Sequence, residues 1–355
     1  MSKKKIAVVF GGCSSEHEVS RVSAASVISN LPKDKYEVIC IGITKDGRWY
    51  LFNGSTDEIM DGSWENNPLI QPAFISPDRN IGGIVVDGKM GFDVIKVDCV
   101  FPVLHGRNGE DGTIQGLLQL SGIPYVGCRT LASAVCMDKA VTHTLLTAAG
   151  INQANYLWFY ADKYKTGSDK IKVKARLGYP VFVKPANAGS SVGISKVNDE
   201  TELDAAVAKA ANEDEKIVIE EAVIGQEVEC AVLGNSEPKA SAVGEISASA
   251  EFYDYDDKYN SGKSKLYIPA HIDNEVSEKI RSTAERAYRI LGCTGLTRVD
   301  FFVRDGKEVI LNELNTMPGF TPISMYPKLW ESCGVSYSEL LDKLVSLSFQ
   351  IKTKY

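Results

Sequence analysis

The chain lacks most of the features that would settle its class at a glance. It holds 8 cysteines, at positions 13, 40, 99, 128, 136, 230, 293 and 333, but no C-x-x-C pair. Zinc sites draw on closely spaced ligand pairs, so a zinc centre is not expected. Scattered cysteines within apolar runs, such as Cys99 before Val100 and Phe101, read as small buried hydrophobes of a reduced compartment. Only 4 histidines are present. His17-Glu18 opens like a zinc-protease motif but has no second histidine. The net charge of −7 comes without a basic stripe, so nucleic acid is not an expected partner. No stretch reaches the roughly 18 apolar residues of a membrane span, and the run Ile6–Phe10 is shorter than the about 7–15 residues of a secretory core. A soluble, cytoplasmic chain is expected. No G-x-x-x-x-G-K-S/T occurs, which excludes a P-loop. The first turn reads G-G-C-S-S-E rather than G-x-G-x-x-G, which excludes the dinucleotide fingerprint. There is no internal repeat, low-complexity tract or long linker.

What is there divides into parts. A length of 355 residues suggests two or three domains at about 100–200 residues each. In residues 1–127, continuous apolar strands at 6–10, 38–43 and 99–104 alternate with helical stretches at 18–31 and 113–120. That alternation predicts a parallel sheet buried on both faces, with ligands beyond the carboxyl ends of its strands. Two glycine-bearing turns fall at those ends, Gly11 to Glu16 and His105 to Gly112. Residues 128–221 predict a single helix over 131–148, then strands at 181–185 and 192–197 around a Gly/Ser loop at 189–191, a helix at 201–211 and a strand at 217–221. Residues 222–355 predict strands at 227–233, 241–246, 298–303 and 309–315. A helix at 276–291 carries Val276, Ile280, Ala284 and Ala287 on one face, and a last helix starts at Ser336.

Several residues carry chemistry on their own terms. The Asp305-Gly306 turn joins the runs 297–303 and 309–315 into an antiparallel hairpin. Side chains alternate along a strand, so Glu313 and Asn315 share a face, and Asp300 can stand opposite them. Three oxygen donors over an apolar wall suit Mg²⁺, a hard cation that uses one or two carboxylates plus substrate phosphates. A solvated hairpin face with incidental charge is the plain alternative. Lys184 ends an apolar run just before the Gly/Ser loop, a composition whose backbone N–H groups cradle phosphates. Lys139 also reads as an ordinary helix-surface charge. His105 follows an apolar strand where the ligands of such a sheet collect, and it fits a structural role as well as a functional one. The aromatic and charged run 252–259 reads as an ordered loop packed by its own rings.

Taken in order, GGCSSEHEVS (11–20), FPVLHGRNGEDG (101–112), MDK (137–139), VKPANAGSSVG (183–193), FYDYDDKY (252–259), TRVDFF (297–302) and LNELNTMPGFT (311–321) resemble the D-alanine–D-alanine ligases of the ATP-grasp superfamily. The segment 156–174 carries none of these motifs. The resemblance implies an α/β and α+β chain: a Rossmann-like N-terminal substrate domain (1–127), then a central ATP-grasp subdomain (128–221) and a C-terminal one (222–355) with the metal and substrate site. It implies ATP-dependent joining of two D-alanine molecules through an acyl phosphate, for peptidoglycan precursors, with ADP and phosphate released.

The family's roles then fall on matching positions. Glu16 would hold the ammonium of the first D-alanine, and Ser190 and Tyr259 would join it in tying loops shut against water. His105 would lie near the first carboxylate. Lys139, Lys184 and Lys258 would hold the ATP phosphates. Glu220 would meet the adenine amino group, Glu227 the ribose and Phe252 the base. Asp300, Glu313 and Asn315 would bind two Mg²⁺, with Mn²⁺ as a substitute. Arg298 and the Gly319 N–H would stabilise the tetrahedral intermediate. Ser324 and Met325 would contact the second amino acid. A homodimer is implied, with no nucleic acid or membrane partner. The alternatives are a ligase taking D-serine or D-lactate second, or a non-catalytic ATP-grasp nucleotide-binding protein. The D-alanine choice rests on Lys258, Tyr259 and Met325.

Overall fold

The computed structural model describes residues 2–88, 91–189, 192–247 and 265–351. Among these, the strands form three sheets.

The first sheet grows from β1 (Lys4–Gly11), whose residues Ile6–Phe10 are fully buried. Helix α1 (His17–Asn30) returns the chain to β2 (Tyr36–Ile43), parallel to β1. Four further strands follow: β3 (Trp49–Phe52), then, after the capped helix α2 (Thr56–Asp61), β4 (Gln71–Ile75), β5 (Gly83–Gly88) and β6 (Gly91–Lys96). β7 (Cys99–Pro102) lies parallel to β1 on its other side. The order is β6-β5-β4-β3-β2-β1-β7. The expected all-parallel sheet is therefore corrected to a mixed one. Only β1, β2 and β7 are mutually parallel, while β2 through β6 pair antiparallel. The reason is connection length: the turn from Ile43 to Trp49 is too short to cross over, so it can only return an antiparallel neighbour.

Helix α3 (Thr113–Ser121) leads to a second correction. The helix expected over 131–148 is two helices, α4 (Thr130–Met137) and α5 (Lys139–Ala148). Asp138 leaves the helical region at φ −81°, ψ 99°, and its carboxylate accepts the Val141 N–H at 3.1 Å as an N-cap. The same carboxylate pairs with Lys216.

The second sheet contains β8 (Tyr156–Tyr160), β9 (Val181–Pro185), β10 (Ser195–Val197) and β11 (Lys216–Glu221), in the order β10-β9-β11-β8. Helices α6 (Thr166–Arg176) and α7 (Leu203–Ala211) close it on a core of its own around Val181, Val183, Leu203 and Ile217. The motif-free segment 156–174 thus supplies an edge strand and part of a covering helix. The third sheet runs β14-β13-β12-β15-β16. Its strands are β12 (Gln226–Gly234), β13 (Lys239–Ser247), β14 (Lys265–Tyr267), β15 (Gly295–Arg304) and β16 (Glu308–Asn315). Helix α8 (Asn274–Ile290) buries Val276, Ile280, Ala284 and Ala287 against it, as the periodicity predicts.

The last helices, α9 (Met325–Ser332) and α10 (Tyr337–Gln350), share one core with the first sheet. Phe10 and Phe101 lie in the same cluster as Phe320, Tyr326 and Leu344. Tyr36 and Lys35 both reach Asp342, at 2.7 and 2.8 Å. The first and third sheets are therefore fastened together, and both face the second across a cavity. No helix among the described residues is long and apolar enough to cross a membrane.

Candidate active site

A cavity of about 440 Å³ draws residues from the second and third sheets and from the turns that follow β1 and β7 of the first.

Its floor is the hairpin β15–β16 with β12 alongside. Asp300 stands opposite Glu313 on one side and Glu229 on the other, and Arg298 stands opposite Asn315. The register slips between Asp300 and Phe301, where Asn312 is the extra residue; such a bulge re-aims the side chains beyond it. Arg298 and Asp300, two apart on one face, close on each other: Nε donates to Oδ1 at 2.8 Å and Nη2 to Oδ2 at 2.7 Å. Asn315 Nδ2 donates to the same Oδ2 at 2.9 Å, and a Glu229 oxygen lies 3.1 Å from Arg298 Nε. Burial alone would lower the guanidinium pKa, but the charges of Asp300 and Glu229 outweigh it and raise it. Among the described residues no three His, Cys, Asp or Glu side chains are grouped to hold a metal. The donor set Asp300, Glu313 and Asn315 nevertheless offers only hard oxygen. Two carboxylates and an amide are what Mg²⁺ uses when substrate phosphates fill the rest of its shell.

The second sheet supplies the cations. Lys184 on β9 reaches Glu220 on β11, Nζ to Oε2 at 2.6 Å, and His143 Nε2 lies 3.0 Å from Glu220 Oε1. Burial would push the Glu220 carboxyl up, but the Lys184 charge and the His143 hydrogen bond hold it well below the usual range. His143 is itself stacked on Tyr156, ring centroids 4.3 Å apart. Lys139 opens α5 because the helix breaks at Asp138. Its N–H donates to Ala186 O and its Nζ to Ala188 O at 2.8 Å. Desolvation lowers its pKa against the raising effect of Glu313.

The lining is completed by Glu16, His105, Gly319, Ser324 and Met325. Glu16 is buried, packed so tightly that a β-carbon on Gly106 or on Gly189 would overlap its carboxylate. Both ring nitrogens of His105 are used inside the protein, by Met317 O and Ser23 Oγ, and burial lowers its pKa. Ser324 accepts the Thr321 N–H at 3.0 Å and so shapes the turn after Gly319. Met325 is buried at the first turn of α9.

The residues singled out in the sequence thus divide three ways. Glu16, His105, Lys139, Lys184, Glu220 and Arg298 line the cavity, as do Glu313, Asn315, Gly319, Ser324 and Met325. Asp300, engaged by Arg298, and Glu227 on β12 are not among the lining residues. Ser190, Phe252, Lys258 and Tyr259 lie outside the described residues. The lining residues that went unmarked in the sequence include the titratable side chains of Glu110, His143, Glu229 and Lys328. Glu229 was readable, since it is two residues from Glu227 on the same strand face. His143 was readable as one helical turn from Lys139.

A Rossmann-like sheet followed by two further sheets enclosing a lysine- and carboxylate-lined cavity defines an ATP-grasp protein. Residues 5–128 match the family model described as D-ala D-ala ligase N-terminus, and residues 145–346 match D-ala D-ala ligase C-terminus. A D-alanine–D-alanine ligase of Caldicellulosiruptor bescii is 51% identical over 99% of this chain and 96% of its own. One from Clostridium acetobutylicum is 50% identical over 98% of each. Among solved structures, the VanG D-Ala:D-Ser ligase of Enterococcus faecalis superposes with a TM-score of 0.89 at 44% identity, covering 98% of this chain and 100% of that one. The D-alanine–D-alanine ligase of Coxiella burnetii gives 0.87 at 35%, covering 99% and 95%. The chain belongs to the D-alanine–D-alanine ligase family.

Proposed function

We propose that this chain joins two D-alanine molecules at the expense of ATP, through an acyl phosphate, in the cytoplasm, and so supplies peptidoglycan precursors. The observation that carries the reading is the pairing of two chemistries in one cavity. Lysines 139 and 184 and an oxygen-donor hairpin line the same cavity as Glu16 and the Gly319 loop. Cations and metal ligands suit phosphoryl transfer, which is mostly positioning and charge neutralisation. A buried carboxylate suits an ammonium.

In this reading Lys139 and Lys184 hold phosphates, with Lys258 added. Glu220, Glu227 and Phe252 serve the nucleoside. Asp300, Glu313 and Asn315 would hold two Mg²⁺, which would supply positive charge to neutralise the phosphates. The Lys184–Glu220 and Arg298–Asp300 pairs must then loosen as ATP and metal arrive. Glu16 with Ser190 and Tyr259 holds and encloses the first D-alanine, and His105 lies beside its carboxylate. Arg298 and the Gly319 N–H receive the oxyanion. Ser324 and Met325 meet the second amino acid. The domains 1–127, 128–221 and 222–355 grip the substrates between them, and the protein acts as a homodimer.

The 44% identity to a structure described as a D-Ala:D-Ser ligase favours one second reading, with D-serine as the acceptor. The test measures phosphate release with ATP, Mg²⁺ and D-alanine, then with added D-serine or D-lactate, and identifies products by mass. The dipeptide of D-alanine is expected to dominate. Release in none of the mixtures rejects the enzyme reading and leaves nucleotide binding without turnover. A dominant mixed product rejects D-alanine as acceptor.

A further inference from the structure

The loop carrying Gly319 follows β16, yet it is anchored largely by the N-terminal part of the chain. Met317 is held at both its backbone groups by the turn after β7. Its C=O meets His105 Nδ1 at 2.9 Å, and its N–H donates to Glu110 Oε1 at 3.1 Å. The other oxygen of Glu110 accepts the Gly106 N–H at 2.8 Å. His105 Nε2 meets Ser23 Oγ at 3.1 Å, and that hydroxyl also accepts the Phe320 N–H at 3.1 Å. Gly319 lies between the two anchored amides. Ser23 carries no charge, and desolvation keeps His105 neutral. Glu110 is therefore the member of this network whose charge state can alter it.

We propose that Glu110 is a positioning residue for the ligation: its carboxylate, bridging the Gly106 and Met317 amides, fixes the 316–321 loop and with it the Gly319 N–H. The inference deepens the ligase reading above and rests on it. Two oxygens that each accept an N–H favour the ionised carboxylate. A protonated carboxyl leaves one of them the weaker acceptor of a hydroxyl, and an amide sets an NH₂ donor against one of the two N–H groups. The groups facing Glu110 are Glu16 from the turn before α1, Arg298 from β15 and His105 from its own turn. Burial, then the Glu16 charge, push the Glu110 carboxyl up to about 8, against the two N–H donors and Arg298. The bridge is thus complete above that pH and weakens below it. An ammonium set against Glu16 removes the like-charge repulsion and favours the ionised bridge, so first-substrate binding and loop fixation are linked.

The test uses the full chain labelled with ¹⁵N-glycine and ¹⁵N-methionine, as wild type, E110Q and E16Q. In the wild type the Gly106 and Met317 amide signals should titrate together with a midpoint of about 8. E16Q should lower that midpoint, and E110Q should abolish the titration. Kinetically, E110Q should lower kcat by about 10- to 100-fold with KM for ATP little changed, as for a misplaced reacting loop. Its pH profile should lose the rise through the same midpoint. Amides that do not titrate together in the wild type overturn the proposal, as does an E110Q enzyme that keeps kcat and the rise. If E110Q does not fold, the other two proteins decide: a midpoint unmoved by E16Q rejects the coupling. Titrating amides in a wild type that releases no phosphate with D-alanine reject the ligase reading and with it the catalytic purpose of the bridge. Titrating amides with an unaffected E110Q reject the positioning role alone.

Discussion

Lys184 and Glu220 stand on neighbouring strands with Nζ and Oε2 2.6 Å apart, and each has less than a seventh of its side chain exposed. A pair this enclosed is costly to break from one side, because the remaining charge loses its partner in a poorly solvated place. Glu220→Gln should therefore destabilise the fold by about 3 kcal/mol at neutral pH. The sign of the pH dependence follows from the depressed Glu220 pKa. Its contribution is full above the ordinary carboxyl value of 4.5 and is lost as pH falls below that toward the folded value. Urea unfolding of wild type and E220Q at neutral and acid pH should show a gap that narrows only below the ordinary value. A gap of constant size would mean that Glu220 is not charged in the fold.

Arg298 grips Asp300 with two parallel hydrogen bonds, a geometry that lysine cannot reproduce. Arg298→Lys keeps the positive charge but loses the fork. If Arg298 is an oxyanion donor, kcat for phosphate release with D-alanine should fall by about 10²–10³-fold. An ion pair that merely braced β15 would instead show itself in the unfolding midpoint, with kcat preserved.

Parts of this site were legible because they are local. The Asp305-Gly306 turn and strand alternation mark the hairpin and set Glu313 and Asn315 on one face, whereas regular pairing from that turn would put Asp300 opposite Asn312, and only the bulge brings Glu313 there. What was not legible came from two physical sources. Apolar periodicity runs unbroken across residues 131–148, and it masked the competing signal of Asp138 as an N-cap, so one helix was expected where two form. β4 and β6 are short and leave Phe74, Phe92 and Val94 exposed, which blurs the alternation that marks a strand. The tie between His105 and Met317 spans 212 positions of sequence, and no windowed pattern reports such a contact.

Glu313 and Asp300 oppose each other at the floor of the cavity, and a shared metal would explain why two carboxylates face one way. Removing divalent ions with a chelator should abolish phosphate release, and Mg²⁺ should restore it. Glu313→Gln should cut turnover at ordinary Mg²⁺ by at least about 100-fold, since a metal contributes several kcal/mol of charge stabilisation. Raised Mg²⁺ should recover part of the loss while the unfolding midpoint stays near that of the wild type. Near-normal turnover of E313Q at low Mg²⁺ would remove Glu313 from the metal set.

Asp138 does two things at the break between α4 and α5, and they can be separated. It caps α5 by accepting the Val141 N–H, and it pairs with Lys216. Asparagine caps as well as aspartate but carries no charge. Asp138→Ala should cost about 1–2 kcal/mol in unfolding free energy and Asp138→Asn distinctly less. Only the alanine variant frays the first turn of α5, where Lys139 donates its N–H to Ala186 and its Nζ to Ala188. KM for ATP should therefore rise in D138A and stay near wild type in D138N. Equal KM values in the two variants would show that the cap does not position Lys139. An equal rise in both would transfer that duty to the ion pair with Lys216, which both variants lose.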